Sequence, residues 1–378
     1  MRYRRFGKLN WKVSVLGFGA MRLPLIAGDV KINEPIAIRM MRYAIDNGIN
    51  YIDTAYPYHR GTSEILVGKV LQDGYRKKIK LATKMPSWLV NSQQDMDKYL
   101  NEQLGKLQVD YVDFYLLHGL NRGSWSKLQK FEVTKWAEKK IDEGKIKHLG
   151  FSFHDEYPVF KEIIDSYNKW VFCQIQYNYT DTEYQAGTKG LIYAASKGLG
   201  IVVMEPLAGG NLAVKPPSAI QTLWDRLGVK STPARLALQW VWNRPEVSVV
   251  LSGMSTMKQV IENLETAEHS GPGTLSKKEL NLVNQIVQKY RELGYIGCTG
   301  CGYCMPCPEG VNIPQIIALY NEYYAKDRDN AIKKKYKKNI PSENQAKKCV
   351  RCGRCETLCP QQLPIMDTLN RIAFVFEQ

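Results

Sequence analysis

Over about the first 270 residues, short β-rich apolar runs alternate with longer stretches whose apolar positions recur every three or four residues. The strand-like runs are Ser14–Phe18, Asn50–Thr54, Ile79–Thr83, Tyr111–Leu117, Ile146–Phe151, Phe172–Tyr177, Gly200–Met204 and Val247–Leu251. Helix-like stretches between them include Glu34–Asn47, Gln94–Leu107, Trp125–Glu143 and Pro233–Trp242. Eight strands joined by helices predict an α/β chain folded as a parallel (β/α)8 TIM barrel. An open doubly wound sheet is the rival, but no Gly-x-Gly-x-x-Gly turn opens a helix after the first strand. Lys277–Leu293 reads as one more helix. The expected organisation is a barrel over 1–274, a connecting helix over 275–296 and a small, mostly α module over 297–378.

The cysteines single out that last module. Of nine in the chain, only Cys173 precedes residue 298, and it reads as a small core residue beside a strand. No leader-like apolar stretch follows the basic N-terminus, so a cytoplasmic protein is expected and a disulfide framework is not. No apolar run reaches the roughly 18 residues of a membrane span. Zinc needs four ligands around one point, commonly as two separated pairs. Here the cysteines form two runs of four. Cys349-x2-Cys352-x2-Cys355-x3-Cys359-Pro360 has the spacing of bacterial ferredoxins, and Cys298-x2-Cys301-x2-Cys304-x2-Cys307-Pro308 is one residue tighter at its end. In two-cluster ferredoxins the fourth cysteine of each run ligates the other cube. The spacing therefore predicts two [4Fe–4S] clusters, one on Cys298, Cys301, Cys304 and Cys359, the other on Cys349, Cys352, Cys355 and Cys307.

In a barrel, chemistry sits at the C-terminal strand ends. The second strand ends in Asp53-Thr54-Ala55-Tyr56-Pro57-Tyr58, the third in Thr83-Lys84 and the fourth in Leu117-His118. Each polar residue alone reads as a cap or a solvated side chain. Four at successive strand ends, converging on one mouth, read as an active site.

These residues resemble the aldo/keto reductase superfamily. The likeness rests on Asp53-Thr54-Ala55-x-x-Tyr58, Val13-Ser14-Val15-Leu16-Gly17-Phe18-Gly19, Gly150-Phe151-Ser152, Gln174-Ile175-Gln176-Tyr177-Asn178, Pro206-Leu207-Ala208-Gly209-Gly210 and Glu262-Asn263. The whole chain is similar to the branch that appends a ferredoxin-like domain with two [4Fe–4S] clusters. The resemblance implies that Tyr58 is the general acid for a carbonyl oxygen. It implies that Lys84 favours the phenolate, that Asp53 holds Lys84, and that His118 orients the carbonyl and shares the proton. It also implies NADP(H) or NAD(H), with Ser152 and Gln174 on the carboxamide. Gly19, Met21, Met204, Pro206, Leu207 and Gly209 would lie along the cofactor, and Ser255, Gln259, Glu262 and Asn263, with Gly253, on its adenosine side. Two positions depart from the pattern: Phe153 stands where Asn or Arg commonly follows the Ser, and Met204 where an aromatic ring commonly stacks. Neither 253 nor 259, about which the 2′-phosphate is usually held, is a Lys or Arg, though Lys215, Arg226 or Lys230 could substitute.

Nicotinamide moves two electrons and a cube moves one, so a flavin such as FMN is a further expectation as the relay. The formal charge of +15 falls to about +11 once each oxidised cube with its thiolates contributes about −2. Lys333-Lys334-Lys335-Tyr336-Lys337-Lys338, between the cysteine runs, could steer an acidic redox protein such as a ferredoxin or flavodoxin. No nucleic-acid motif accompanies the charge. The expected function is an oxidoreductase acting on a small carbonyl-type substrate. The alternatives are a flavin enzyme linked to ferredoxin and a catalytically silent redox or regulatory module. Substrate identity and oligomeric state are not legible in the sequence.

Overall fold

The computed structural model describes residues 1–27 and 29–378. Its contacts divide the chain into two units, one of residues 1–206 and 238–274, the other of residues 207–237 and 275–378. Segment 207–237, which lies in sequence between two barrel strands, thus clusters with the cysteine-bearing part of the chain.

The first unit begins with an antiparallel hairpin of β1 (Tyr3–Arg5) and β2 (Lys12–Ser14). The barrel strands follow as β3 (Leu16–Gly19), β4 (Tyr51–Asp53), β5 (Lys80–Met85), β6 (Val112–Leu120), β7 (Ile146–Phe153), β8 (Phe172–Gln176), β9 (Gly200–Met204) and β10 (Val249–Ser252). They pair in parallel in sequence order, and β10 closes on β3. This is the expected (β/α)8 barrel. The helices bury the faces that their periodicity marks. In helix Glu34–Asp46 the buried residues are Ala37, Met40, Met41, Ala44 and Ile45, and Asn33 caps the start by accepting from the Ile36 N–H.

The sequence reading missed the hairpin, whose strands are too short to show a period. It closes the barrel end opposite the chemistry. Phe6, fully buried just past β1, lies 4.8 Å from Phe114, 5.8 Å from Phe172 and 6.0 Å from Tyr51, ring centre to ring centre. Gly200 makes room for it, since a Cβ there would stand 2.5 Å from the Phe6 ring. The expected single helix over Trp125–Glu143 is two helices, Arg122–Lys130 and Val133–Asp142, broken where Glu132 adopts φ 51°. The buried positions explain the break. Trp125 and Leu128 on the first helix lead to Val133, Trp136 and Ala137 on the second, so the apolar stripe slips by one residue and a continuous helix would bury Glu132.

The second unit has no β-strand among the described residues. Helices Ser218–Leu227 and Lys277–Glu292 pack together. Beyond them, helices Ile313–Ala325, Asn330–Asn339 and Ile365–Phe376 share an apolar core built on Val311, Ile316, Ile317, Tyr336, Ile372 and Phe376, against which the cysteines lie. No helix among the described residues is long and apolar enough to cross a membrane.

Phe6→Ala should remove the plug's ring contacts and cost about 3–5 kcal/mol, the usual range for a large buried aromatic. A thermal midpoint for the barrel within a degree of wild type would contradict this placement.

Candidate active site and cysteine cavities

Asp53 ends β4, Lys84 lies in β5 and His118 in β6, so parallel pairing brings all three to one end of the barrel. Tyr58 enters on the tight turn after β4, where His59 and Arg60 adopt φ of 50° and 55°. All four side chains are buried. The Lys84 ammonium uses its three N–H groups on Asp53 Oδ1 at 2.6 Å, the Thr54 carbonyl at 2.8 Å and Tyr58 Oη at 3.3 Å. Burial pushes the Asp53 carboxyl up and the Lys84 amine down, and their mutual attraction opposes both shifts. Three oxygen acceptors around one nitrogen favour the charged pair.

The His118 ring stands edge-on to Tyr58 at 6.1 Å and lies 5.1 Å from the Trp88 ring. Burial, then the Lys84 charge, then His154 hold its pKa well below the usual 6.5, so the ring is neutral near pH 7.

Beneath the pair lies a buried network that the sequence reading missed. Glu64 accepts from Thr83 Oγ1 and Gln103 Nε2, each at 2.6 Å. Gln103 also donates to the Lys84 carbonyl at 3.0 Å and accepts from Tyr115 Oη at 2.8 Å. These bonds hold the backbone from which Lys84 projects. Glu64 sits in a half-apolar helix and Gln103 in a polar-looking one, so neither shows as a core residue without the fold.

Most residues expected to bind nucleotide belong to the first unit, while Leu207 and Gly209 belong to the second. Ser152 Oγ accepts from the Gly119 N–H at 2.7 Å. Gln174 is buried, donates weakly to Met204 Sδ at 3.5 Å, and its Oε1 has no partner among the described residues. Such an orphaned acyl oxygen fits a carboxamide N–H. Phe153 packs at 5.0 Å on Phe160 in the helix layer, so its ring is not spent at the mouth. Gln259 Oε1 accepts from the Ser255 N–H and Thr256 N–H at 2.8 and 3.2 Å, capping helix Met257–Glu268, and Asn263 donates to Ser252 Oγ at 3.0 Å. These two residues therefore also shape the local turn. Arg22 lies over Gly253, where a Cβ would meet its Cγ at 2.7 Å, and the Arg22 carbonyl accepts from Ser255 Oγ at 2.7 Å. Arg22 thus packs on the 253–259 turn through its backbone and the base of its side chain, from a loop more than 200 residues away, which no local motif reveals. Arg226, an expected substitute, instead donates to Gln285 at 3.1 Å.

In the second unit the eight cysteines line two neighbouring cavities. One is walled by Cys298, Cys301, Cys304 and Cys359, the other by Cys307, Cys349, Cys352 and Cys355, and Cys304 lines this one too. Apolar side chains, among them Ile313, Ile317 and Leu369, complete the walls. Among the described residues no three His, Cys, Asp or Glu side chains converge on a point that would hold a single ion. Four thiols spread around a cavity fit a cube better than zinc, whose sulfurs must all lie about 2.3 Å from one centre. The first cavity is braced by segment 207–237. Asn211 Nδ2 donates to the Cys298 carbonyl at 3.0 Å, and Gly209, at φ 69°, lies so close to Thr299 that a Cβ would stand 2.3 Å from its carbonyl oxygen.

A closed parallel barrel with Asp, Tyr, Lys and His at its C-terminal mouth, followed by a helical cysteine module, defines a two-part oxidoreductase. Residues 15–288 match the Aldo/keto reductase family and residues 297–364 a 4Fe-4S dicluster domain. The chain belongs to the aldo/keto reductase family and carries a C-terminal 4Fe–4S domain. It is 28% identical to the uncharacterized oxidoreductase YrpG of Bacillus subtilis, over 76% of this chain and 96% of that one. It is 29% identical to L-galactose dehydrogenase of Arabidopsis thaliana, over 77% and 95% respectively. Among solved structures it resembles holo aldo-keto reductase AKR11C1 from Bacillus halodurans, with TM-score 0.63, 28% identity and coverage of 76% and 96%.

The buried, neutral state of His118 is open to measurement. Its ring nitrogen shifts should not move between pH 8 and pH 5.5, whereas a free imidazole titrates near 6.5. A titration step near 6.5 assigned to His118 and abolished in His118→Asn would contradict the burial.

Proposed function

We propose that this chain reduces the carbonyl group of a small molecule, with Tyr58 as the proton donor. The observation that carries the reading is the buried Lys84 ammonium, bonded at once to Asp53 and to Tyr58 Oη. NADPH or NADH, when bound, supplies the hydride. Tyr58 Oη gives its proton to the carbonyl oxygen as negative charge develops there. Lys84, 3.3 Å away, stabilises the phenolate left behind, and Asp53 keeps Lys84 charged and aimed. His118, neutral by burial, orients the carbonyl oxygen and does not compete as a proton source. Gln174 and Ser152 support the nicotinamide carboxamide, and Arg22 packs on the adenosine-side turn. The complete tetrad argues against a silent regulatory module.

In the same reading the second unit holds two [4Fe–4S] clusters, on Cys298, Cys301, Cys304 and Cys359, and on Cys307, Cys349, Cys352 and Cys355. The cavity linings support this crossed pairing. The clusters exchange single electrons with an acidic redox protein of the ferredoxin or flavodoxin kind. A flavin relay is a second reading. Met204, in place of a stacking ring beside Gln174, supports it, whereas Phe153, packed into the helix layer, does not.

Tyr58→Phe should lower kcat/KM for an aldehyde by about 100-fold or more while the NADPH dissociation constant stays within about twofold. Turnover within a few fold of wild type would remove Tyr58 from its role. Anaerobically purified protein should contain about eight irons per chain. Cys359→Ala and Cys307→Ala should each perturb the EPR signal of a different cube. One or two zinc ions per chain, or both substitutions altering the same signal, would contradict the assignment. Acid extraction that releases one flavin per chain would favour the relay over direct nicotinamide chemistry.

A further inference from the structure

The lysine run 333–338 folds as part of helix Asn330–Asn339, and the structure joins it to the cysteines. Ile332 and Tyr336 are buried and fix which side of the helix faces the core. Tyr336 Oη accepts from the Ala346 N–H at 3.0 Å and bonds Glu377, whose carboxylate also accepts from the Ala346 N–H at 2.9 Å. This ties the helix to the residues immediately before Cys349, where Lys347 and Lys348 are exposed. Lys335 is neutralised by Glu322 at 2.7 Å. Lys333, Lys334, Lys337, Lys338, Lys347 and Lys348 have no ion-pair partner within 4.0 Å among the described residues. On the helix, 333 and 337 stack one turn apart, as do 334 and 338.

This basic stretch runs up to the second cysteine cavity, which is also the one that reaches the surface. Cys352 is the exposed cysteine of the set, and Val350, on the same cavity wall, is 63% exposed. The acids nearby are Glu309 on the cavity wall, Glu356 beside Cys355, Glu377 on Tyr336, Glu343 on the turn after the helix, and Asp367, which Arg351 holds at 2.7 Å. Six unpaired lysines and Arg354, on the cavity wall, narrowly exceed the other four carboxylates and the charge of about −2 on a bound cube. The lysines are grouped on the helix and just before Cys349, and such a basic cluster beside an exposed apolar residue and an exposed cysteine suits a transient electron-transfer contact, in which charge steers encounter and a small apolar centre makes the close approach.

We infer that this face docks an acidic one-electron carrier protein, and that electrons enter at the cube on Cys307, Cys349, Cys352 and Cys355. The step moves one electron from the reduced carrier to the oxidised cube, with no bond made or broken. The inference rests on the proposed clusters and adds the place of entry and the order in which the two cubes fill.

The test mixes holoprotein with a reduced acidic ferredoxin in an anaerobic stopped-flow instrument and follows bleaching of the clusters. Lys334→Glu/Lys338→Glu/Lys347→Glu should lower the second-order rate constant at least tenfold at low salt and flatten its salt dependence. Lys130→Glu/Lys139→Glu, on the barrel, should change it less than twofold. Iron content and the EPR spectrum of the dithionite-reduced protein should be unchanged in both variants. A triple variant reduced as fast as wild type, or a barrel variant slowed equally, would overturn the docking face and leave the clusters standing. Wild-type clusters that dithionite reduces but ferredoxin does not would overturn the carrier itself, and the face with it.

Discussion

The ion pair between Lys84 and Asp53 constrains this molecule more than any other contact. Two charges 2.6 Å apart, both buried, are costly to desolvate and very costly to separate. Their presence demands a scaffold that fixes both from opposite sides, and the barrel does so. Neighbouring parallel strands set the spacing of Asp53 and Lys84, and the turn after β4 returns Tyr58 to the same nitrogen. The Glu64–Gln103–Tyr115 network anchors the Lys84 backbone from below. At the far end, Phe6 seals the barrel against water. A phenol proposed as the acid of a buried pocket needs a cation held beside it, and Lys84 is held there.

Much of this was legible in the chain. Parallel strands buried on both faces read as short continuous β-rich runs, so all eight were visible, with ends displaced by at most three residues. The four mouth residues were legible because parallel strands carry their chemistry at one end. What escaped depended on contacts across long sequence separations. The hairpin strands are three residues each, too short for a period. The break at Glu132 follows from a one-residue slip that two tolerant helix formers conceal. Arg22 and the Glu64 network become neighbours of the site only through barrel closure. The motif also does not reveal that the Phe153 ring packs outward on Phe160.

The cysteine spacing carried more information than the barrel pattern, because a cube restricts its ligands more tightly than a core restricts its side chains. Three cysteines two residues apart can embrace one cluster only if the fourth ligand comes from elsewhere. The linings of the two cavities share Cys304 and otherwise divide the cysteines in that crossed way. The apolar residues behind them would give a bound cluster a low-dielectric wall. The charge of the chain also acquires a location. The overall positive balance says little, but four unpaired lysines lie on a helix tied through Tyr336 to the segment before Cys349, and two more, Lys347 and Lys348, stand in that segment. In the proposed function, hydride chemistry in one unit and single-electron chemistry in the other pose a problem of electron counting, to which two filled cubes or a flavin are the candidate answers.

In the proposed mechanism Asp53 and Lys84 act as one device to position and serve Tyr58. A double-mutant cycle on kcat/KM for aldehyde reduction tests it most directly, using Asp53→Asn, Lys84→Met and the double variant, each matched to wild type in iron content and thermal midpoint. If the pair is one device, either substitution alone should cost nearly as much as both, with a coupling of at least about 1.4 kcal/mol, a factor of ten in rate. Losses that simply add would show two independent residues and contradict the account.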